Sequence, residues 1–248
     1  MVGRVAWFML LALGAAPAFG AEEMPKDFVY LRDIDPTIQR DMRYAGPFNF
    51  TGKTVPGYRA GECILVRQAA EALKQVQEDL KPKGLGLRVY DCYRPARAVR
   101  AFVDWVGAPD DPDAKAIYYP NLAKKTLIPD YIAPRSGHSR GATVDLTLVT
   151  RKGGNPRQAE HGPVCTAPQQ DEAPDGSLAM GTSFDCFDTK ANLGAPDLTA
   201  LEEQNRETLR GAMLARGFKD YSPEWWHFTL KDEPYPDKFF DFPILPRQ

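Results

Sequence analysis

The sequence predicts a single α+β domain, with a central antiparallel sheet flanked by helices. Three observations lead there. Residues 64–80 place Leu65, Ala69, Leu73, Val76 and Leu80 near a 3.6-residue period, the mark of an amphipathic helix. Thr143–Val149 alternates instead, with Val144, Leu146 and Leu148 on one face and Asp145 and Thr147 on the other, the mark of a strand. No internal repeat, low-complexity tract or clear linker divides the 248 residues, a length that suits one large domain. A hydrophobic share of 43% suffices for a core.

Arg4 precedes the apolar run Val5–Ala15, and Ala18-Phe19-Gly20 supplies small residues at the cleavage positions. Residues 1–20 therefore read as a secretory signal peptide, with Ala21 opening the mature chain. The run is too short for a good membrane span, and no cysteine follows it where a lipid anchor would need one. No other stretch is long and apolar enough to cross a bilayer, so the mature protein is expected to be exported and soluble. The net charge of −2, with both signs interspersed, argues against a nucleic-acid surface.

Export gives the four cysteines a meaning. An even number in an oxidising compartment favours disulfides over free thiols. Cys63, Cys92, Cys165 and Cys186 allow three pairings. Cys63–Cys92 and Cys165–Cys186 are favoured because each joins sequence neighbours, and no C-x-x-C spacing supports a four-cysteine metal site.

Residues 28–50 read as a strand or an extended entry segment, and Thr51-Gly52-Lys53 and Val55-Pro56-Gly57-Tyr58 as turns. Pro82 and Gly84 end the first helix. Leu87–Tyr90 is a short strand running into Asp91-Cys92-Tyr93-Arg94-Pro95, and Pro95 suits the first turn of a helix over 96–106. Residues 107–135 are rich in proline and turns and predict a long surface excursion. Residues 151–178 carry Gly, Pro, Gln and charge, and read as an inserted loop tied down at Cys165. Thr199 with Glu202 three residues later forms a capping-box pattern that opens a helix, and Gly217 closes it. The tail from Asp232, rich in Pro and aromatics, is expected to wrap the surface.

The chemistry concentrates in two segments, Ser136-Gly137-His138-Ser139-Arg140-Gly141-Ala142-Thr143-Val144-Asp145 and Glu224-Trp225-Trp226-His227. Zinc takes His nitrogen and carboxylate oxygen at about 2.0–2.2 Å, and a catalytic site keeps one position open. His138, Asp145 and His227 supply three such ligands. Ser222-Pro223 disfavours a helix before Trp226–Leu230, so Glu224 falls in the turn before a strand, free to reach over the metal as a base and not a ligand. The predicted centre sits at the sheet edge or a cleft. A plainer reading makes His138 a loop histidine and Asp145 the partner of a surface arginine. A serine triad is a further alternative, since Ser136 or Ser139 lies beside His138 and Gly137–Gly141 matches G-x-S-x-G. That motif belongs on a strand-to-helix turn, whereas this segment runs from a loop into a strand. His161, the third histidine, lies in the inserted loop, a poor place to hold a rigid ligand, and reads as a bystander.

These segments resemble the zinc D-alanyl-D-alanine dipeptidases, within the wider D-Ala-D-Ala metallopeptidases. The likeness extends to Asp41-Met42-Arg43-Tyr44, Asn49–Gly52, Tyr93-Arg94-Pro95, Tyr118–Asn121, Met180–Asp185 and Asp232–Pro236, and so covers residues 28–243. It implies one zinc ion per chain on His138, Asp145 and His227, with Glu224 as general base and Arg94 stabilising the developing oxyanion. It also implies Tyr44 and Asp185 at the ammonium of a small wall-derived dipeptide, and Ser136 and Tyr58 near its carboxylate. The 151–178 segment is longer than the compact family pattern. The leader and cysteines depart from the cytoplasmic resistance-type members, so a periplasmic role in recycling or foraging is expected.

Overall fold

The computed structural model describes residues 23–151 and 164–248. The expected leader at 1–20 and His161 lie outside the described residues. Phe28–Tyr30 (β1) runs into a short helix, Leu31–Ile34 (α1), then Gln39–Arg40 (β2), Ile64–Val66 (β3) and Arg67–Leu80 (α2). Leu85–Asp91 (β4), Ala96–Gly107 (α3), Pro112–Tyr118 (α4) and Thr143–Thr150 (β5) follow, and Ala200–Ala215 (α5), Phe218–Tyr221 (β6) and Glu224–Leu230 (β7) complete the order.

The predicted helix over 64–80 divides in two. Leu65 belongs to β3, and the helix starts at Arg67. Ala69, Leu73, Val76 and Leu80 then form its fully buried stripe. The capping box at Thr199 and Glu202 is present, with both reciprocal hydrogen bonds. Gly217 follows the last helical turn at φ 84, the left-handed backbone that glycine supplies without strain. Pro95 is the N-cap of α3 and not a residue of its first turn.

Five strands form one sheet in the order β2-β4-β5-β7-β6. Three of its pairings are antiparallel, as expected, but β2 pairs with β4 in parallel. A separate antiparallel pair joins β1 to β3. Helices α2 and α5 pack against the sheet and against each other. Strand β5 is buried on both faces up to its last residue, so Asp145 and Thr147 are not solvent-facing although they alternate with the apolar positions. Loops cover that second face, and the site forms there.

Two expectations are corrected. The excursion over 107–135 contains α4, capped by Asp111, whose carboxylate accepts from the Asp113 and Ala114 N–H groups. The tail does not simply wrap the surface. Phe240, Phe242 and Ile244 are buried, and Phe242 stacks on Tyr93 at 4.0 Å between ring centroids. Alternating aromatics in a Pro-rich run satisfy a core when their backbone finds partners elsewhere. Here Phe240 N–H donates to the Ser139 carbonyl and Ile244 N–H to the Gly57 carbonyl. Phe242→Ala is expected to lower unfolding free energy by about 3–5 kcal/mol, read as a lower urea midpoint at unchanged slope.

The described part of the insertion is likewise built in. Asp175 accepts from Arg43 Nη2 at 2.8 Å and from the Tyr90 hydroxyl at 2.7 Å, and its own carbonyl accepts from Arg88 Nη1. Both predicted disulfides, Cys63–Cys92 and Cys165–Cys186, are formed. They fit an oxidising compartment. Among the described residues no helix is long and apolar enough to cross a membrane.

Candidate metal centre

Asp145 and His227 face each other across β5 and β7, so their side chains leave the same face of the sheet. His138 arrives from the 3₁₀ turn Gly137–Arg140 just before β5. One ligand atom from each of the three lies within 4.8 Å of the others. His138 Nε2 is 3.2 Å from Asp145 Oδ2. His227 Nδ1 is 3.1 Å from Asp145 Oδ1 and 3.4 Å from His138 Nε2.

Local sequence explains how His138 gets there. Ser136 opens the turn, its Oγ accepting from the His138 N–H at 3.3 Å. Gly141 ends it at φ 81, and a Cβ at that position would collide with the Phe28 ring. Left-handed backbone and close approach both demand glycine there. The loop is stitched to the segment after β4. The Arg94 N–H donates to the His138 carbonyl, and the Ser139 hydroxyl donates to the Arg94 carbonyl at 2.8 Å. Both serine hydroxyls of this turn are thus engaged with backbone, which leaves the serine-triad alternative without geometric support.

His138 Nδ1 lies 2.7 Å from the Cys92 carbonyl. A carbonyl only accepts, so Nδ1 carries a proton and Nε2 is the nitrogen turned toward Asp145 and His227. Asp145 Oδ1 is buried, and its polar neighbour is His227 Nδ1. Burial opposes its charge, but the His138 and His227 imidazoles hold its carboxyl well below the ordinary range. Burial also pushes His227 down, which favours its neutral form. Two ring nitrogens and a buried carboxylate converging on one point form a set that a divalent cation fits.

Glu224 is the first residue of β7, not part of the preceding turn. Residues three apart on a regular strand point to opposite faces. The β6–β7 register shifts between Asp220 and Tyr221, and Glu224 Oε2 comes within 3.5 Å of His227 Nδ1. Burial, then the charges of Asp145 and Asp185, push the Glu224 carboxyl well above its usual range. Asp185 is pushed up to about 8, by burial first and by Asp145 next. It accepts from the Tyr44 hydroxyl at 2.9 Å.

Arg94 donates through Nε to Asp91 Oδ2 at 2.8 Å, and Nη2 lies 3.5 Å from Asp145 Oδ2. Its guanidinium rests 5.2 Å from the Tyr44 ring centre and 5.0 Å from that of Phe102. Burial works against its charge, and Asp91 more than restores it. Tyr44, Arg94, Ser136, Asp185, Glu224 and the three ligands all line one cavity of about 210 Å³. Tyr58 does not. Its hydroxyl donates to Asp91 Oδ1 at 2.6 Å, which puts it beneath the site.

Asp91 escaped the sequence reading. It is fully buried, takes Arg94 and Tyr58, and lies 3.5 Å from His138 Nδ1. The signal for it was a carboxylate at a strand end three residues before a candidate catalytic arginine, with no solvent-exposed role.

A mixed sheet carrying a His–Asp–His centre, with a glutamate beside it, is the architecture of a metallopeptidase. The chain belongs to the D-Ala-D-Ala dipeptidase family of metallopeptidases (peptidase M15), which it matches over residues 24–159 and 169–245. It is 40% identical to a D-alanyl-D-alanine dipeptidase of Streptomyces coelicolor over 222 residues, 89% of this chain and 100% of the relative. It is 37% identical to one from Enterococcus faecium over 218 residues, 88% of this chain and 98% of the relative. With one from Escherichia coli it shares 30% over 207 residues, 82% and 84% of the two chains.

Proposed function

We propose that this chain is an exported zinc dipeptidase that hydrolyses D-Ala-D-Ala. The observation that carries the reading is the convergence of His138, Asp145, His227, Glu224 and Arg94 in one small cavity whose lining also includes the Asp185 carboxylate. His138, Asp145 and His227 would hold the ion, a donor set that suits zinc with a position left for water. Bound there, zinc supplies Lewis acidity, lowering the pKa of water toward about 7 and polarising the scissile carbonyl. Glu224 accepts the proton of the attacking water and returns it to the leaving amine. Its raised proton affinity suits a group that must hold a proton between those two events.

Arg94 offers N–H donors to the negative charge developing on the carbonyl oxygen. Asp91, the Tyr44 ring and the Phe102 ring fix it in place beforehand. Asp185 meets the substrate ammonium, and Ser136 meets the carboxylate. Tyr58 acts only indirectly, by holding Asp91. A cavity of about 210 Å³ is below the roughly 300–1,000 Å³ of pockets for drug-sized ligands, which favours two small residues over a long peptide. The leader-like N-terminus and the two disulfides favour the periplasm, where an enzyme meets dipeptides released from the wall. Recycling or foraging suits that location better than antibiotic resistance.

Assays on D,D-, L,D- and L,L-dipeptides and on an acylated D-Ala-D-Ala tripeptide, with and without a chelator, test the reading. Chelator-sensitive turnover of free D-Ala-D-Ala above the rest is expected. Preference for the acylated tripeptide would make the chain a D,D-carboxypeptidase, and muropeptide binding without turnover a wall-binding domain. Arg94→Lys, which keeps the charge but not the planar fork, is expected to lower kcat about 10²-fold with zinc content unchanged.

A further inference from the structure

We propose that the Cys165–Cys186 disulfide is a positioning device for substrate recognition: it fixes the backbone of Asp185 and thereby the carboxylate that meets the substrate ammonium. The inference rests on the ammonium role given to Asp185 above.

Asp185 is the one non-glycine residue with positive φ among the described residues, at φ 60. An L residue in that region is under strain and stays there only where its surroundings hold it. The strip around Asp185 is buried and separates two cavities. Phe184 lines a second cavity of about 220 Å³, whereas Asp185 lines the catalytic one. The same split recurs at Arg43 and Tyr44, and at Trp225 and Trp226. Phe184 packs on Tyr90 and Trp226, and the Tyr44 hydroxyl donates to Asp185, so both sides of the strip are already in contact with the core.

Covalent and backbone hydrogen bonds fix the main chain itself. Cys186, the next residue, is joined to Cys165. On the other side of Asp185, the Ser183 N–H donates to the Cys165 carbonyl at 2.9 Å. Cys165 N–H donates in turn to Ile117, and Phe187 N–H to Tyr118, each at 2.8 Å. Cys165 therefore grips the strip on both flanks of Asp185 and ties it to the end of α4. It does so from residues 160–168, the stretch between the two parts of the chain that match the family. Cys165 thus lies outside the two stretches that match the family, and Cys186 within the second. The other disulfide lies elsewhere in the site: Cys92 supplies the carbonyl that orients His138.

The test is the full-length Cys165→Ser/Cys186→Ser variant, with Asp185→Asn introduced into it and into the native chain. For the disulfide-free protein, KM for D-Ala-D-Ala is expected to rise about tenfold, ~1.4 kcal/mol, with kcat and zinc content within about twofold. Its preference for D-Ala-D-Ala over the N-acetylated dipeptide should fall by a similar factor. In the Asp185→Asn background, opening the bridge should add nothing, because both changes act through one group. Unchanged KM in a folded disulfide-free protein overturns the proposal, and so do additive effects. If Asp185→Asn alone leaves KM and the amine preference unchanged, the ammonium role itself is wrong. Cys165→Ala/Cys186→Ala, which buries no hydroxyl, serves if the serine pair does not fold. Should neither pair fold, the bridge is a stability element and the proposal fails.

Discussion

Glu224→Ala is expected to abolish hydrolysis of D-Ala-D-Ala while zinc stays bound. In the proposed site the ligand atoms come from His138, Asp145 and His227, the three groups able to hold a metal ion, and none from Glu224. Removing a general base typically costs about 10²–10⁴ in rate, and here the same group also delivers the proton to the leaving amine. The fold should not suffer. Glu224 is buried, and its surroundings raise its proton affinity, so they favour its charged form less than water does. The metal-free variant should therefore be at least as stable as the native chain. Steady-state kinetics, metal analysis by mass spectrometry and a thermal melt check the three parts. Loss of zinc together with the fold would contradict the assignment.

Asp145→Asn is expected to lose the metal and the activity together. In the proposed site Asp145 is the anionic ligand, lying between the His138 and His227 imidazoles. Its removal should exceed the about 10–100-fold loss in affinity typical of a partner outside the ligand shell. Dialysis against a graded zinc buffer measures it. The metal-free proteins should also differ in their response to acid. The Asp145 carboxyl is held below its ordinary range in the folded chain. It therefore stabilises the fold above the unfolded-state pKa of about 3.9. That contribution disappears as pH falls through the folded value. Native metal-free protein should lose stability faster than Asp145→Asn below about pH 4. Equal acid sensitivity would show that the imidazoles do not hold the carboxylate.

The helices that repeat every 3.6 residues and carry terminal signals were legible: Thr199, Glu202 and Gly217 delimit α5 with no help from tertiary structure. Strand β5 was legible by alternation, and the ligand pair Asp145 and His227 by residue type. What escaped has a common cause. The tail, α4 and the end of the insertion have no long period, and their burial depends on partners far away in sequence, such as Tyr93 for Phe242 and Arg43 for Asp175. Tyr58 and Asp91 illustrate the same limit inside the site. A family motif carries Tyr58 toward the substrate, but its hydroxyl points to Asp91, and only the three-dimensional path of the chain reveals it. Glu224 reaches His227 because the β6–β7 register shifts, a feature that no spacing rule encodes.

Phe28 near the start of the described chain packs edge-on against Phe240 and Phe242 near its end, with ring centres 5.0 and 5.1 Å apart. The same Phe28 ring lies against Gly141, where the His138 loop turns into β5. Folding must therefore close a loop spanning most of the sequence before that turn is clamped, and long closures of this kind slow folding. The His138 turn is finished only when Phe28 and the 240–244 segment have met, so the site should assemble late and cooperatively, and removing either partner should unlock His138 before it exposes the sheet.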